Sequence, residues 1–159
     1  MRARPSPGAQ LREAWRRLSP LPGGKWLFSR FLGRMNRYSG STGALVETLE
    51  PGYVRVVLKD RAAVRNHLDS VHAIALANVA ELASGLAILT ALPPTARGIP
   101  VRITIEYLKK ARGTLTAESR CALPDVSVDG EHAFSATVRD QAGDDVARAT
   151  VTWKLGPMA

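Results

Sequence analysis

Glu81 has surroundings that demand a chemical explanation. It lies in the run VHAIALANVAELASGLAILTAL (71–92), where it is the one acid, and no basic residue stands three or four positions to either side. A carboxylate buried without a partner costs free energy or holds its proton to higher pH. A carboxyl perturbed in that way suits proton abstraction or nucleophilic attack. The structural alternative is a hydrogen bond to Asn78, three residues earlier on the same helical face. Gly85, four residues later, leaves room beside it.

A second group precedes that run. Arg65-Asn66-His67-Leu68-Asp69-Ser70-Val71-His72-Ala73 leads into the apolar stretch, with Asp69 or Ser70 placed to N-cap a helix. The first-turn N–H groups, that of Ala73 among them, then lack helical partners and sit at the positive end of the helix dipole. Such a place suits a polarised carbonyl or a developing oxyanion. Water or the cap alone is the plainer way to satisfy those groups. His67 and His72 with Asp69 between them invite a metal, but no third ligand is evident and none is expected. Lys109, Lys110 and Arg112 form a basic cluster at a strand end, either a solvated turn or a phosphate-binding group, and Arg65 is a weaker candidate of the same kind. His132 reads as a surface residue.

His72 and Glu81 are nine residues apart, about 13 Å along one helix. They cannot meet within one chain. If both serve one substrate, the second must come from another subunit, and an isologous dimer with antiparallel central helices makes two equivalent sites.

The elements that must position these residues are legible in the pattern. The 159 residues are 45% apolar and 23% charged, enough for a proper core and against global disorder. The helix expected over 71–92 is stopped by Pro93-Pro94 and is apolar all round apart from Glu81, as a helix buried in protein should be. Its central carboxylate and alanine-rich composition argue against a membrane span. Strands are expected at 43–50, 53–60, 101–108, 113–123, 131–141 and 145–155, with Val101, Ile103, Ile105 and Tyr107 facing inward. The last four strands, joined by short turns such as Asp129-Gly130, are expected to form an antiparallel meander.

The net charge of +8 belongs to the N-terminus. Residues 1–38 hold nine basic residues and one acid, whereas 39–159 hold 13 of each. The chain therefore divides into a basic N-terminal segment, 1–38, and a neutral domain, 39–159. Residues 1–8 read as a disordered tip, followed by amphipathic helices at 9–18 and 25–37 separated by SPLPGG. These helices are expected to pack on the main domain, a membrane surface or a partner being the lesser alternatives. The lone Cys121 excludes an intrachain disulfide and fits a reducing compartment, and no secretory signal is recognisable, so the cytoplasm is the expected location. A mitochondrial transit peptide is the less favoured reading of the Arg-rich start. No helix-turn-helix or aromatic-basic strand pattern supports nucleic-acid binding.

The arrangement Asn66-(five residues)-His72-Ala73-(seven residues)-Glu81 resembles the active-site stretch of hotdog-fold acyl-CoA thioesterases of the PaaI and 4-hydroxybenzoyl-CoA thioesterase type. RNHLDSVHAIALANVAELASG, with IEYLKKARGTLTAES after it, looks like an uncharacterised branch of that superfamily. The likeness covers about residues 40–155. The fold it implies is α+β, a curved antiparallel sheet wrapped around one long central helix with N-terminal helices added, in the order β-β-α-β-β-β-β.

By the resemblance, Glu81 is the general base or nucleophile. Asn66 takes the place of a residue that orients water or the carbonyl, and the Ala73 N–H, where the family often has glycine, polarises the thioester carbonyl. His72 supports that loop or contacts the thioester. Lys109, Lys110 and Arg112 would lie near the CoA phosphates, with Arg65 and Gly85 as further substrate contacts. Gly85 departs from members that carry a Ser or Thr there to hold water. No resident cofactor is implied, since CoA is part of the substrate. The expected function is hydrolysis of an acyl-CoA or acyl-carrier thioester by a homodimer or dimer of dimers. A non-catalytic acyl-CoA or fatty-acyl binding protein is the alternative. A 3-hydroxyacyl thioester dehydratase is less favoured, for want of the Pro-rich loop of those enzymes.

Overall fold

In the computed structural model, which describes residues 6–158, the apolar run forms a helix of 19 residues, Ala73–Ala91, with 13 of them buried. By length and apolarity this helix could cross a membrane, but most of it is enclosed by the rest of the chain. Alanines at 80, 83 and 87 present almost no side-chain bulk and let the sheet approach closely. Pro93 ends it as expected.

Around this helix, α4, the chain lays down β1 (Leu45–Glu50), β2 (Tyr53–Leu58), β3 (Ala96–Tyr107), β4 (Leu115–Arg120), β5 (Gly130–Arg139) and β6 (Asp145–Pro157). They form one six-stranded antiparallel sheet in the order β1-β2-β4-β5-β6-β3. The expected meander therefore holds for β4, β5 and β6 only. Helix α4 packs across β2, β4, β5 and β6, so the chain leaving it reaches the far edge of the sheet, and β4 returns to fill the place beside β2. β3 starts at Ala96, five residues earlier than its alternation suggests, because it pairs along most of its length with β6 across a bulge near Val101.

β3 also corrects the expected inward face. Ile103, Ile105 and Tyr107 lie opposite Val151, Ala149 and Ala147 and so share the face of the core. Yet Ile103 is 44% and Tyr107 48% exposed, and Val101 at the bulge is exposed as well. Alternation reports which face a side chain takes; it does not report whether anything covers that face. Here the helix lies mainly over β2, β4, β5 and β6 and covers less of the edge strand.

The N-terminal helices α1 (Pro7–Leu18) and α2 (Gly24–Met35) pack on the domain. Leu11, Phe28 and Leu32 join the cluster of buried residues around α4, and Trp15 meets Phe28 edge to face at 5.1 Å. Arg12 donates to the Thr90 carbonyl, one of the acceptors left over at the C-terminus of α4. Helix α2 turns only part of its apolar surface inward: Trp26, Leu27 and Phe31 are exposed. A short helix unread in the sequence, α3 (Arg37–Ser41), follows.

Residues 1–5 of the expected disordered tip lie outside the described residues. Ser6, Pro7 and Gly8 are ordered: Ser6 Oγ accepts from Ala9 N at 3.3 Å, Pro7 opens α1, and Gly8 is buried. A Cβ at Gly8 would stand 1.9 Å from the Leu89 carbonyl oxygen. Gly→Ala inside a helix ordinarily gains up to about 1 kcal/mol. Gly8→Ala is expected to cost about 1–3 kcal/mol instead, by forcing α1 off α4, a loss that urea denaturation would read.

Candidate functional site

The segment before α4 is closed on itself. Asn66 N donates to the Ser70 carbonyl at 2.8 Å, and Asn66 Oδ1 accepts from Leu68 N (2.9 Å), Ser70 N (3.3 Å) and Ser70 Oγ (3.2 Å). Asp69 takes a left-handed φ of 52°, which aspartate tolerates better than most residues. The ring is anchored by His72 N to the Val64 carbonyl and Val71 N to the Ala111 carbonyl, each 2.8 Å. The Asn66 side-chain oxygen is committed to this loop, so its NH2 is the group left to meet a ligand.

The N-cap is His72, not Asp69 or Ser70. Its Nδ1 accepts from Ile74 N at 3.1 Å. The helix starts at Ala73, too late for Asp69 and Ser70 to cap it, and Ser70 is spent on Asn66. Nδ1 acts as an acceptor, which leaves Nε2 as the proton-bearing nitrogen of the neutral ring. The Ala73 N–H, first of the helix, finds no acceptor among the described residues, while the Ala73 carbonyl accepts from Tyr107 Oη at 3.1 Å. Asn66, Ala73, Leu76, Tyr107, Lys109 and Lys110 line one open groove of about 370 Å³. The helix start and the basic strand end are thus brought together.

Lys109 is less available than its sequence neighbourhood implies. Its ammonium bridges Asp140 and Asp144 at 2.7 and 2.6 Å, and these bonds hold its pKa above the usual lysine range. Arg65 is paired with Asp60 at 2.6 Å. Lys110 has no ion-pair partner among the described residues and faces the groove; Arg112 does not line it.

Glu81 lies midway along α4, half-buried, in no ion pair and no side-chain hydrogen bond among the described residues; burial alone pushes its carboxyl pKa up. Asn78 does not bond it. Asn78 is 9% exposed, its Oδ1 is buried without a partner among the described residues, and it lines a cavity of about 200 Å³ shared with His72, Ile74 and Tyr38. Gly85 does adjoin Glu81: a Cβ there would lie 3.5 Å from Glu81 Oε1 and 3.2 Å from the Trp153 ring. The indole crowds the place a Ser or Thr would fill, and its Nε1 is buried without a hydrogen-bond partner among the described residues. Tyr107 and Trp153 are the site neighbours the sequence reading missed as such. Their strand alternation was visible, but a hydroxyl meeting a helix carbonyl, or an unpaired indole N–H beside a carboxyl, depends on the pairing of β3 and β6.

Within one chain, then, the Ala73 amide, Asn66 and Lys110 are gathered at one groove, and Glu81 is not among them.

Residues 24–155 match the sequence family described as a domain of unknown function, DUF4442. No curated protein matches. Among solved structures, the structural-genomics protein APC5556 superposes with a TM-score of 0.83 at 29% identity, over 94% of this chain and 100% of its own. The Pseudomonas aeruginosa protein PA5026, of unknown function and described as a probable thioesterase, gives 0.75 at 24% identity, over 87% of this chain and 97% of its own. A hypothetical thioesterase from Streptococcus pneumoniae, solved with coenzyme A, gives 0.65 at 20% identity, over 80% and 99%.

Proposed function

The chain belongs to the DUF4442 family and has the hotdog fold of thioesterase-family proteins, and from that premise we propose that it hydrolyses acyl-CoA thioesters at a site shared by two subunits. The observation that carries this reading is the pairing, on one buried helix, of an amide at Ala73 and a carboxyl at Glu81 that both lack a partner among the described residues. The coenzyme A bound to the Streptococcus pneumoniae protein of the same fold supports the choice of substrate.

In the proposed reaction the thioester carbonyl oxygen accepts a hydrogen bond from the Ala73 N–H. Glu81 of the partner subunit takes a proton from water as its oxygen attacks the carbonyl carbon. The tetrahedral oxyanion is held by the same amide and the dipole of α4. Collapse breaks the C–S bond, and the thiol leaves with the proton returned from Glu81. Asn66 orients the carbonyl through its NH2 group, and His72 acts by holding the first turn of α4 in place.

The subunits would meet along β3. It is a twelve-residue edge strand with Ile103 and Tyr107 exposed on its inner side, the kind of edge that soluble proteins seldom leave bare. Antiparallel pairing of two β3 strands about Thr104 places Arg102 opposite Glu106, Ile103 opposite Ile105 and Val101 opposite Tyr107, so that each face meets its like and unlike charges meet.

Thiol release measured over short-, medium-, long-chain and aryl acyl-CoAs tests the reaction, with turnover of at least one class expected. One observation favours a second reading. The indole of Trp153 crowds position 85 beside Glu81, 3.2 Å from where a side chain there would begin, which disfavours a water-holding hydroxyl at that place. Tight acyl-CoA binding with no thiol release across the series would assign the chain to non-catalytic binding instead.

A further inference from the structure

Beyond the helix start lies a second, larger groove of about 450 Å³, bounded by α2, the turn after α3, and strands β1 and β2. Arg30, Arg34 and Lys59 line it, and Arg34 and Arg37 line its continuation. Among the described residues, no acid lines either part and none of these four cations is in an ion pair. The contrast with Lys109 and Arg65, each neutralised by a carboxylate, is direct. Like charges gathered without counter-charges repel one another, an arrangement that an anionic ligand relieves.

The geometry is built rather than scattered. Helices α2 and α3 cross at Gly33 and Gly40, where a Cβ on Gly40 would lie 2.5 Å from the Gly33 carbonyl oxygen. This close approach brings Arg34 and Arg37 to one side. Trp26 stands at the far end of the groove with the Arg30 guanidinium 5.2 Å from its ring centroid and the indole largely exposed. The groove also runs toward the N-terminus of α4. Gly33, Arg34 and Gly40 belong to both of its parts, and Ser41 is shared between the nearer part and the cavity that holds His72, Ile74 and Asn78.

We propose that this α2–α3 groove binds the nucleotide end of the CoA thioester, with its phosphates on Arg30, Arg34, Arg37 and Lys59 and its base against Trp26. The pantetheine arm would then run past Ser41 to the start of α4. Arginine suits phosphate oxygens through paired N–H donors, and an indole offers a face to a purine. The basic N-terminal segment, joined by Lys59, thereby has a role in holding the substrate. The assignment rests on the acyl-CoA reading for its ligand, but it is testable without turnover.

Calorimetric titration of the full chain with adenosine 3′,5′-bisphosphate, which lacks any thioester, is expected to show binding that weakens with salt. The double variant R30E/R34E should lose at least about tenfold in affinity, and the neutral R30Q/R34Q should fall between it and the parent. In thiol-release assays, the preference for an acyl-CoA over the matching acyl-pantetheine should drop by a similar factor in R30E/R34E. Nucleotide affinity equal in parent and variants, or no affinity in the parent, would overturn the proposal. Charge-sensitive binding to phosphatidylglycerol vesicles in place of the nucleotide would also overturn it, and would assign these cations to a lipid surface. Nucleotide binding without any hydrolysis would uphold the groove and count against the catalytic reading alone.

Discussion

Glu81→Gln is expected to cut thiol release from a good acyl-CoA substrate by about 10²- to 10⁴-fold, the range a positioned general base supplies, with the fold intact. Gln matches the carboxyl in size and keeps an oxygen acceptor, so the change removes the basic oxygen and little else. Among the described residues the carboxyl has no internal partner to lose. A pH dependence should accompany the loss. Burial raises the Glu81 pKa above its ordinary value of 4.5, so kcat/KM of the parent should climb with pH on a limb displaced above the usual carboxylate range, and the Gln variant should lack that limb. Stability separates this from a structural role. A folded-state pKa raised above the unfolded one means that the native state binds the proton more tightly. The parent therefore loses stability as pH rises from the unfolded pKa through the folded one. Relative to the parent, Glu81→Gln should gain melting temperature across that window and keep the gain above it. A carboxylate held for structure would instead make the variant less stable at neutral pH. Unchanged turnover would remove Glu81 from the mechanism.

The part of this site that sequence makes legible is the part written locally. The apolar run with one acid announces a buried helix and an unusual carboxyl within 22 residues, and Pro93 marks its end. The alternation of β2 and of β4 to β6 is equally local, and α4 packs across each of these strands. The errors share one cause, the arrival of groups distant in sequence. Asp69 and Ser70 are good capping residues, but Asn66 folds the loop so that Ser70 serves it and His72 caps the helix. Lys109 sits in a basic cluster, yet Asp140 and Asp144 come to it from the turn between β5 and β6. Asn78 stands where it could reach Glu81 on an ideal helix, but its oxygen is left unpaired in a cavity formed with α3, a helix too short for periodicity to reveal. β3 alternates as a core strand should, and only the topology puts it at an edge.

The edge position of β3 and the isolation of Glu81 from the Ala73 groove lead to the same expectation, that neither subunit works alone. Ala73 and Glu81 are eight residues apart on one rigid helix, about 12 Å, too far to act on one carbonyl. Ala73→Pro isolates the amide. Proline is favoured at the first position of a helix, where its missing N–H costs no helical bond, and His72 has the extended ψ of 141° that a residue before proline requires. The helix should persist, the Ala73 carbonyl should still accept from Tyr107, and turnover should fall by about 10²- to 10³-fold, as when an oxyanion donor is removed. Glu81→Gln is inactive for a different reason. Unfolding and refolding an equal mixture of the two inactive variants should restore about one quarter of the parent activity. Roughly half of the dimers are mixed, and each mixed dimer holds one site with both groups intact and one with neither. A site contained within one chain would give no recovery, because every chain in the mixture lacks one of the two groups. Recovery that disappears when β3 carries Ile103→Lys, a charge placed on the face the two strands would share, would tie the composite site to that edge. Recovery unaffected by it would place the subunit contact elsewhere on the sheet.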